Sequence, residues 1–143
     1  MDEQEYRQMA EADDRIWWYR GLHDNIAWGL RRSGTGPTAA ILDAGCGTGG
    51  LLLALRRGFP KAALEGVEQH APAVAIARQR TGLPVREGSL HALPFPDASF
   101  DAVTVSDVLY HRDADPEKAL PEIRRVLKPG GVFVSSEVAF EWL

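Results

Sequence analysis

Ile41-Leu42-Asp43-Ala44-Gly45-Cys46-Gly47-Thr48-Gly49-Gly50 is the stretch on which the reading of this chain turns. An apolar run stops at Asp43, glycines recur at every second position (Gly45, Gly47, Gly49), and a Leu-rich segment follows at once. Glycine lets the backbone take positive φ and approach a ligand with no Cβ in the way. The next apolar run ends on an acidic residue, Glu68. In a strand–helix–strand unit, a carboxylate roughly 20 residues beyond such a loop meets the hydroxyls of a nucleotide ribose.

Outward from this unit the pattern alternates. Strands are expected at 39–43, 63–68, 84–87, 100–106 and 132–138, and helices at 50–57, 72–80 and 116–127. Pro121 is expected to interrupt the last helix, a point at which it could divide into two short pieces. Residues 3–32 read as helical, with Tyr19, Leu22, Ile26 and Leu30 at helical spacing, and turn formers at 33–38 end that element. No internal repeat or low-complexity tract interrupts the pattern. Strands separated by helices imply an α/β fold: a parallel sheet with right-handed crossovers and helices on both faces. Ligands of such sheets bind beyond the carboxyl ends of the strands, where the glycine loop and Glu68 both fall.

Composition narrows the partners. The chain has 143 residues, enough for one domain with a proper core. The expected division is a helical lead-in and linker at 1–36 and a Rossmann-like core at 37–143. A net charge of −4, with basic residues scattered among acids, argues against a nucleic-acid footprint and for a small molecule. No apolar run reaches the ~20 residues of a membrane span. A single cysteine, Cys46, allows no intrachain disulfide and no cysteine metal cluster, which fits a reducing cytoplasm. No metal is expected.

Taken in order, the residues of 39–135 resemble the class I S-adenosylmethionine-dependent methyltransferases, in particular the group acting on small molecules. The glycine loop is followed by Gly66-Val67-Glu68-Gln69, then by Arg86-Glu87-Gly88-Ser89 with Leu93-Pro94-Phe95. Ser99-Phe100-Asp101-Ala102-Val103 and Leu127-Lys128-Pro129-Gly130-Gly131 complete the series. The resemblance implies the strand order 3-2-1-4-5 and S-adenosylmethionine as cofactor. It also implies roles. Asp43 and the backbone of Gly45, Cys46 and Gly47 would hold the methionine end. Glu68 would accept both ribose hydroxyls, Gln69 would border the adenine, Ser89 and Leu90 would flank it, and Ser106 would lie toward the methyl group. Many members carry Asp at the position of Ser89, and a serine hydroxyl accepts there without charge assistance.

Methyl transfer from a sulfonium needs alignment, exclusion of water and at most one base. His111, just past the fourth strand, is the candidate base, set against a loop histidine that merely packs near the pocket. Asp107 either orients an acceptor or caps the strand. His23 and His91 read as incidental, Cys46 as a small residue tolerated in the loop, and Arg20 as solvated or as reaching the cofactor carboxylate. Trp17, Trp18 and Tyr19 form either an aromatic wall over the site or a core cover for the sheet. The acids along 2–14 read as a solvated helix face. A nicotinamide-dependent oxidoreductase is disfavoured, since no catalytic Tyr-Lys or Ser-Tyr pairing is apparent.

Members of this family normally carry seven strands, so this chain is expected to lack the last two. The fifth strand would then be a bare apolar edge. Such an edge would be covered by the amino-terminal helix or by a partner, including a second copy in a homodimer. The competing reading is a non-catalytic cofactor-binding or interaction module that pairs with another chain.

Overall fold

Asp2 starts the fold with a capping box: its carboxylate accepts from the Glu5 N–H and its own N–H donates to the Glu5 carboxylate, both at 2.8 Å. The computed structural model describes residues 2–109 and 112–137. In chain order it contains α1 (Glu3–Arg15), α2 (Trp17–Arg32), β1 (Ala40–Ala44), α3 (Gly50–Gly58), β2 (Ala63–Glu68) and α4 (Ala71–Thr81). There follow β3 (Val85–Glu87), β4 (Phe100–Ser106), a 3-10 turn at Arg112–Ala114, α5 (Pro116–Val126) and β5 (Leu127–Ser136).

The five strands form one parallel sheet in the order β3-β2-β1-β4-β5, as the resemblance implies. Alternation along each strand sorts its side chains between two layers. Ile41 and Ala102 face Ile26 and Leu30 of α2, Leu52 and Leu55 of α3, and Val74 and Ala77 of α4. Leu42, Ala44, Val103 and Val105 face Ile123 and Val126 of α5, together with Leu93 and Phe95. Both faces of the sheet are therefore covered, which is why β1 and β4 read as continuous apolar runs.

Four expectations are corrected, the last of them at Pro121. The helical segment at 3–32 is two helices, because Ile16 is extended (φ −88°, ψ 111°) and caps both. The break lets α1 lie on α4 through Tyr6, Ala10, Ala73 and Ile76, while α2 packs beside α3. Trp17 and Trp18, at the start of α2, are 78% and 59% exposed, so they form neither a wall nor a core cover. The last strand starts at Leu127 rather than 132: Leu127 pairs with Phe100, residues 128–131 loop out with Gly130 at φ +78°, and pairing resumes at Ala102↔Val132.

Pro121 leaves α5 unbroken. It sits just past the first turn, so its missing N–H removes only one bond, to the Glu117 carbonyl. At the sheet edge, β5 pairs with β4 alone among the described strands. Helix α2 packs Gly29 against Val134 on the face of β5.

Candidate functional site

A cleft of about 500 Å³ opens at the carboxyl ends of β1, β2, β3 and β4. Asp43, Gly45, Cys46 and Gly47 line it from the end of β1, and Glu68 and Gln69 from the end of β2. Ser89 and Leu90 line it beyond β3, and Ser106 at the end of β4. Every residue expected to touch the cofactor thus borders one space. His111, the candidate base, lies outside the described residues.

The glycine loop is fixed by its neighbours on both sides. The N–H groups of Gly45 and Cys46 converge on the Val67 carbonyl at 2.8 and 3.0 Å, tying the loop to β2. Arg80 of α4 donates to the carbonyl and hydroxyl of Thr48 at 2.9 and 3.2 Å, and lies 3.6 Å from Asp13 of α1. Gly49 caps α3 in a left-handed conformation (φ +92°), where a Cβ would stand 2.8 Å from Thr81 Cγ2. Gly47 is also left-handed (φ +53°), yet a Cβ there would meet nothing within 4 Å. Gly49 is small because α4 is close; Gly47 leaves room in the cleft.

This contrast gives a first prediction. Gly49→Ala combines left-handed strain with a clash against α4 and should cost about 2–4 kcal/mol, lowering the melting temperature by roughly 10 °C. Gly47→Ala should cost only the strain, about 1–2 kcal/mol, and should act mainly on ligand binding. Paired thermal melts check the ranking, and equal losses in the two variants would refute it.

Two carboxylates set the electrostatics. Asp43 is fully buried, accepts from Thr104 Oγ1 at 2.9 Å, and has its pKa pushed up to about 7. Burial is the main cause, the Thr104 bond opposes it, and the charge of Glu68 adds to it. Glu68 is raised as well, again chiefly by burial, with His70 and the N–H groups of Gln69 and His70 pulling it back. Its Oε2 is buried and lacks a hydrogen-bond partner; His70 Nδ1, at 3.6 Å, is too far to serve.

The remaining candidates sort by environment. Burial pushes the Cys46 thiol well above its ordinary range, which suits a packing residue rather than a nucleophile. Burial lowers His23 to about 4, with Arg57 acting in the same direction, so the ring is neutral at pH 7. Arg20 borders a smaller cavity beside the cleft, shared with Asp13, His23 and Arg57. Among the described residues no cluster of three or more His, Cys, Asp or Glu side chains could hold a metal ion. No described helix is long and apolar enough to cross a membrane.

The structure adds residues that sequence reasoning left elsewhere. Tyr6, Met9 and Asp13 of α1 line the cleft, so one side of that helix borders the site, with Tyr6 buried and Met9 still 46% exposed. Their spacing, with Ala10, marks a helical face, and the capping box at Asp2 and Glu5 marks its start. His91 and Asp113 line the cleft too, as do Tyr19 and Asp107, which the sequence already offers to the site. Asp107 is at φ +54°, and its N–H donates to the Ser136 carbonyl at 2.8 Å.

Similarity to known proteins identifies the family. Residues 42–135 match the family described as methyltransferase domain. A demethylmenaquinone methyltransferase of Thermus thermophilus is 47% identical over 102 residues, covering 68% of this chain and 46% of that protein. A demethylmenaquinone methyltransferase of Deinococcus radiodurans is 35% identical over 136 residues, covering 92% of this chain and 53% of the relative. The crystal structure of a putative S-adenosyl-L-methionine-dependent methyltransferase from Methanococcus maripaludis superposes with a TM-score of 0.81. At 21% identity, over 94% of this chain and 64% of that one, it speaks for the fold alone. The chain spans about half the length of these two curated relatives. Because the family match runs unbroken from the glycine loop through the fifth strand, this protein belongs to the methyltransferase domain family.

Proposed function

We propose that this domain binds S-adenosylmethionine and transfers its methyl group to a small-molecule acceptor. The observation that carries the reading is the buried Oε2 of Glu68, which has no hydrogen-bond partner inside a ligand-sized cleft. An unpaired buried carboxylate oxygen costs stability, and a ligand offering two adjacent hydroxyls removes that cost. The open space over Gly47 and the acidic pair Asp43 and Glu68 suit a cationic nucleoside lying along the loop.

When bound, S-adenosylmethionine supplies a methyl group on a sulfonium, activated for in-line displacement. The chain supplies position and exclusion of water. Glu68 would accept the ribose hydroxyls, the loop at 45–47 would carry the methionine end, and Gln69 and Leu90 would border the base. Tyr6 and Met9 of α1 line the cleft and would narrow the access of water to a bound ligand. Ser106, Asp107 and Val108 line the end of β4, and Asp107 is held in a conformation that non-glycine residues seldom adopt. We assign to Asp107 the orientation of an acceptor amine or hydroxyl, and keep His111 as the base. The names of the two curated relatives support a small organic acceptor.

Titration calorimetry of the chain with S-adenosylmethionine and with S-adenosylhomocysteine tests the first half. One-to-one binding is expected, with a dissociation constant on the order of 1–100 µM. Absence of binding at millimolar ligand would sink the proposal. The second half is tested by methyl transfer from labelled cofactor across quinol, hydroxy-acid and amine acceptors.

A further inference from the structure

We propose that Arg80 is a positioning residue of the cofactor site: standing outside the cleft, it holds the glycine loop and α1 together as two walls of one site. The proposal rests on the reading of the cleft as an S-adenosylmethionine site and adds the residue that keeps these walls in register.

Arg80 belongs to the last turn of α4 and does not line the cleft, yet Thr48 and Asp13, which it meets, both do. Thr48 follows directly on Gly47, where a Cβ would meet nothing within 4 Å. Asp13 lies on α1, about two helical turns after Tyr6, on the side that borders the cleft. A single nitrogen of Arg80, Nη1, serves three oxygens on these two elements. It donates to the Thr48 carbonyl at 2.9 Å and to the Thr48 hydroxyl at 3.2 Å, and lies 3.6 Å from Asp13 Oδ2. The ion pair is shielded, with only 16% and 18% of the two side chains exposed.

Shielding decides what this contact is worth. An ion pair in open solvent gains little, whereas breaking a shielded one leaves a charge without its partner. Helix α1 rests on α4 through Tyr6 and Ala10 against Ala73 and Ile76, and Asp13 adds its link to the glycine loop. Thr48 cannot shift without giving up Arg80, and Arg80 cannot follow it without leaving Asp13. Movement of the loop is therefore felt by α1, and the reverse. The start of α3 shows how closely the parts are fitted. A Cβ on Gly50 would stand 2.6 Å from Asp13 Oδ2, so glycine there gives the carboxylate its place beside the guanidinium.

The test is a set of variants of the full chain, read by calorimetry with S-adenosylhomocysteine and by hydrogen exchange of residues 3–15. In the wild type the ligand should slow exchange of α1 by about 10-fold or more. Asp13→Asn, Arg80→Gln and Gly50→Ala each break the link. The last does so by displacing the carboxylate with no charge removed, and alanine suits a helix better than glycine. Each should weaken binding by about 5- to 20-fold, and saturating ligand should then slow α1 by less than about three-fold. Adding Asp13→Asn or Gly50→Ala to Arg80→Gln should bring no further loss, because the link is already broken. A single nitrogen makes these contacts, so Arg80→Lys, which keeps the charge and a donor, should bind within about three-fold of the wild type. Arg56, which donates to the Thr81 carbonyl and does not line the cleft, is the control: Arg56→Gln should lower the melting temperature and leave affinity unchanged. The proposal is overturned if the losses multiply in the double variants. It is equally overturned if Arg80→Gln melts lower yet binds as the wild type does, which is how a merely structural arginine behaves. Absence of binding by the wild type would overturn the S-adenosylmethionine reading itself, so the two failures are distinct.

Discussion

Glu68→Gln should melt several degrees above the wild type without cofactor and below it when cofactor is saturating. Both halves follow from one buried carboxylate. In the free protein Glu68 has only 12% of its side chain exposed, and its Oε2 has no hydrogen-bond partner. Burial raises its pKa, which means that the folded state penalises the ionised form relative to the unfolded chain. The sign follows: above the ordinary carboxylate pKa that penalty is present, and a neutral amide of the same shape removes it. With cofactor the balance reverses. Two charge-assisted hydrogen bonds, each about 1.5–3 kcal/mol, are available to a carboxylate that accepts both ribose hydroxyls. Glu68→Ala loses both and should bind S-adenosylhomocysteine about 100- to 1,000-fold more weakly. Glu68→Gln keeps one acceptor and should lose about 10-fold. Melting curves of the three proteins with and without ligand give the crossing directly. A variant less stable than the wild type in the absence of ligand would refute the strain, and unchanged affinity would refute the ribose contact.

The distribution of legible and illegible features follows from where each residue's constraints lie. Gly45, Gly47 and Gly49 were legible because a local backbone demand excludes other residues, and Glu68 because an acid at the end of an apolar strand conflicts with its surroundings. The strand order came with the ordered series of motifs. The bend at Ile16 was not legible, since no glycine or proline marks it. It is set by the separate apolar faces that α1 turns to α4 and α2 to α3. Asp13 looked solvated for the same reason: its place beside Arg80 and the glycine loop exists only after that bend is made. Trp17 and Trp18 advertise burial by type, but side-by-side positions on a helix point different ways, and neither points inward. His91 meets the Ala114 carbonyl 23 residues away, a contact that no local pattern announces.

Asp43→Asn should leave stability unchanged near pH 4 and stabilise the cofactor-free protein progressively as the pH rises to 7. Asp43 is fully buried, and its pKa is pushed from an ordinary 3.8 up to about 7. A carboxyl group whose pKa is raised on folding holds a proton in the folded state that the unfolded chain has already released. Between pH 4 and 7 the folded state therefore binds more protons, and stability contributed by this group falls as pH rises. Below pH 4 both states are protonated and the group contributes nothing; above 7 the loss is complete, at a few kcal/mol. Asparagine resembles the protonated acid, still accepts from Thr104, and never ionises. The comparison must be a difference between variant and wild type, because other groups titrate in the same window. Glu68 acts with the same sign. His23, lowered to about 4, acts with the opposite sign, since its folded form refuses a proton that the unfolded chain accepts below 6.5. Asp101 and Glu122 are held below their ordinary values, by the Ala40 N–H and by Arg125 respectively, and act only at more acidic pH. The cofactor should report the same proton. A cation favours the ionised carboxylate, so S-adenosylmethionine binding to the wild type should strengthen from pH 6 to 8 and release protons near neutrality. Asp43→Asn should bind the cation more weakly, by about 10-fold or more at pH 8, and show a shallower dependence on pH. Calorimetry in buffers of different ionisation enthalpy counts the protons. A stability difference that is flat from pH 4 to 7 would remove Asp43 as the titrating group, whatever the affinities show.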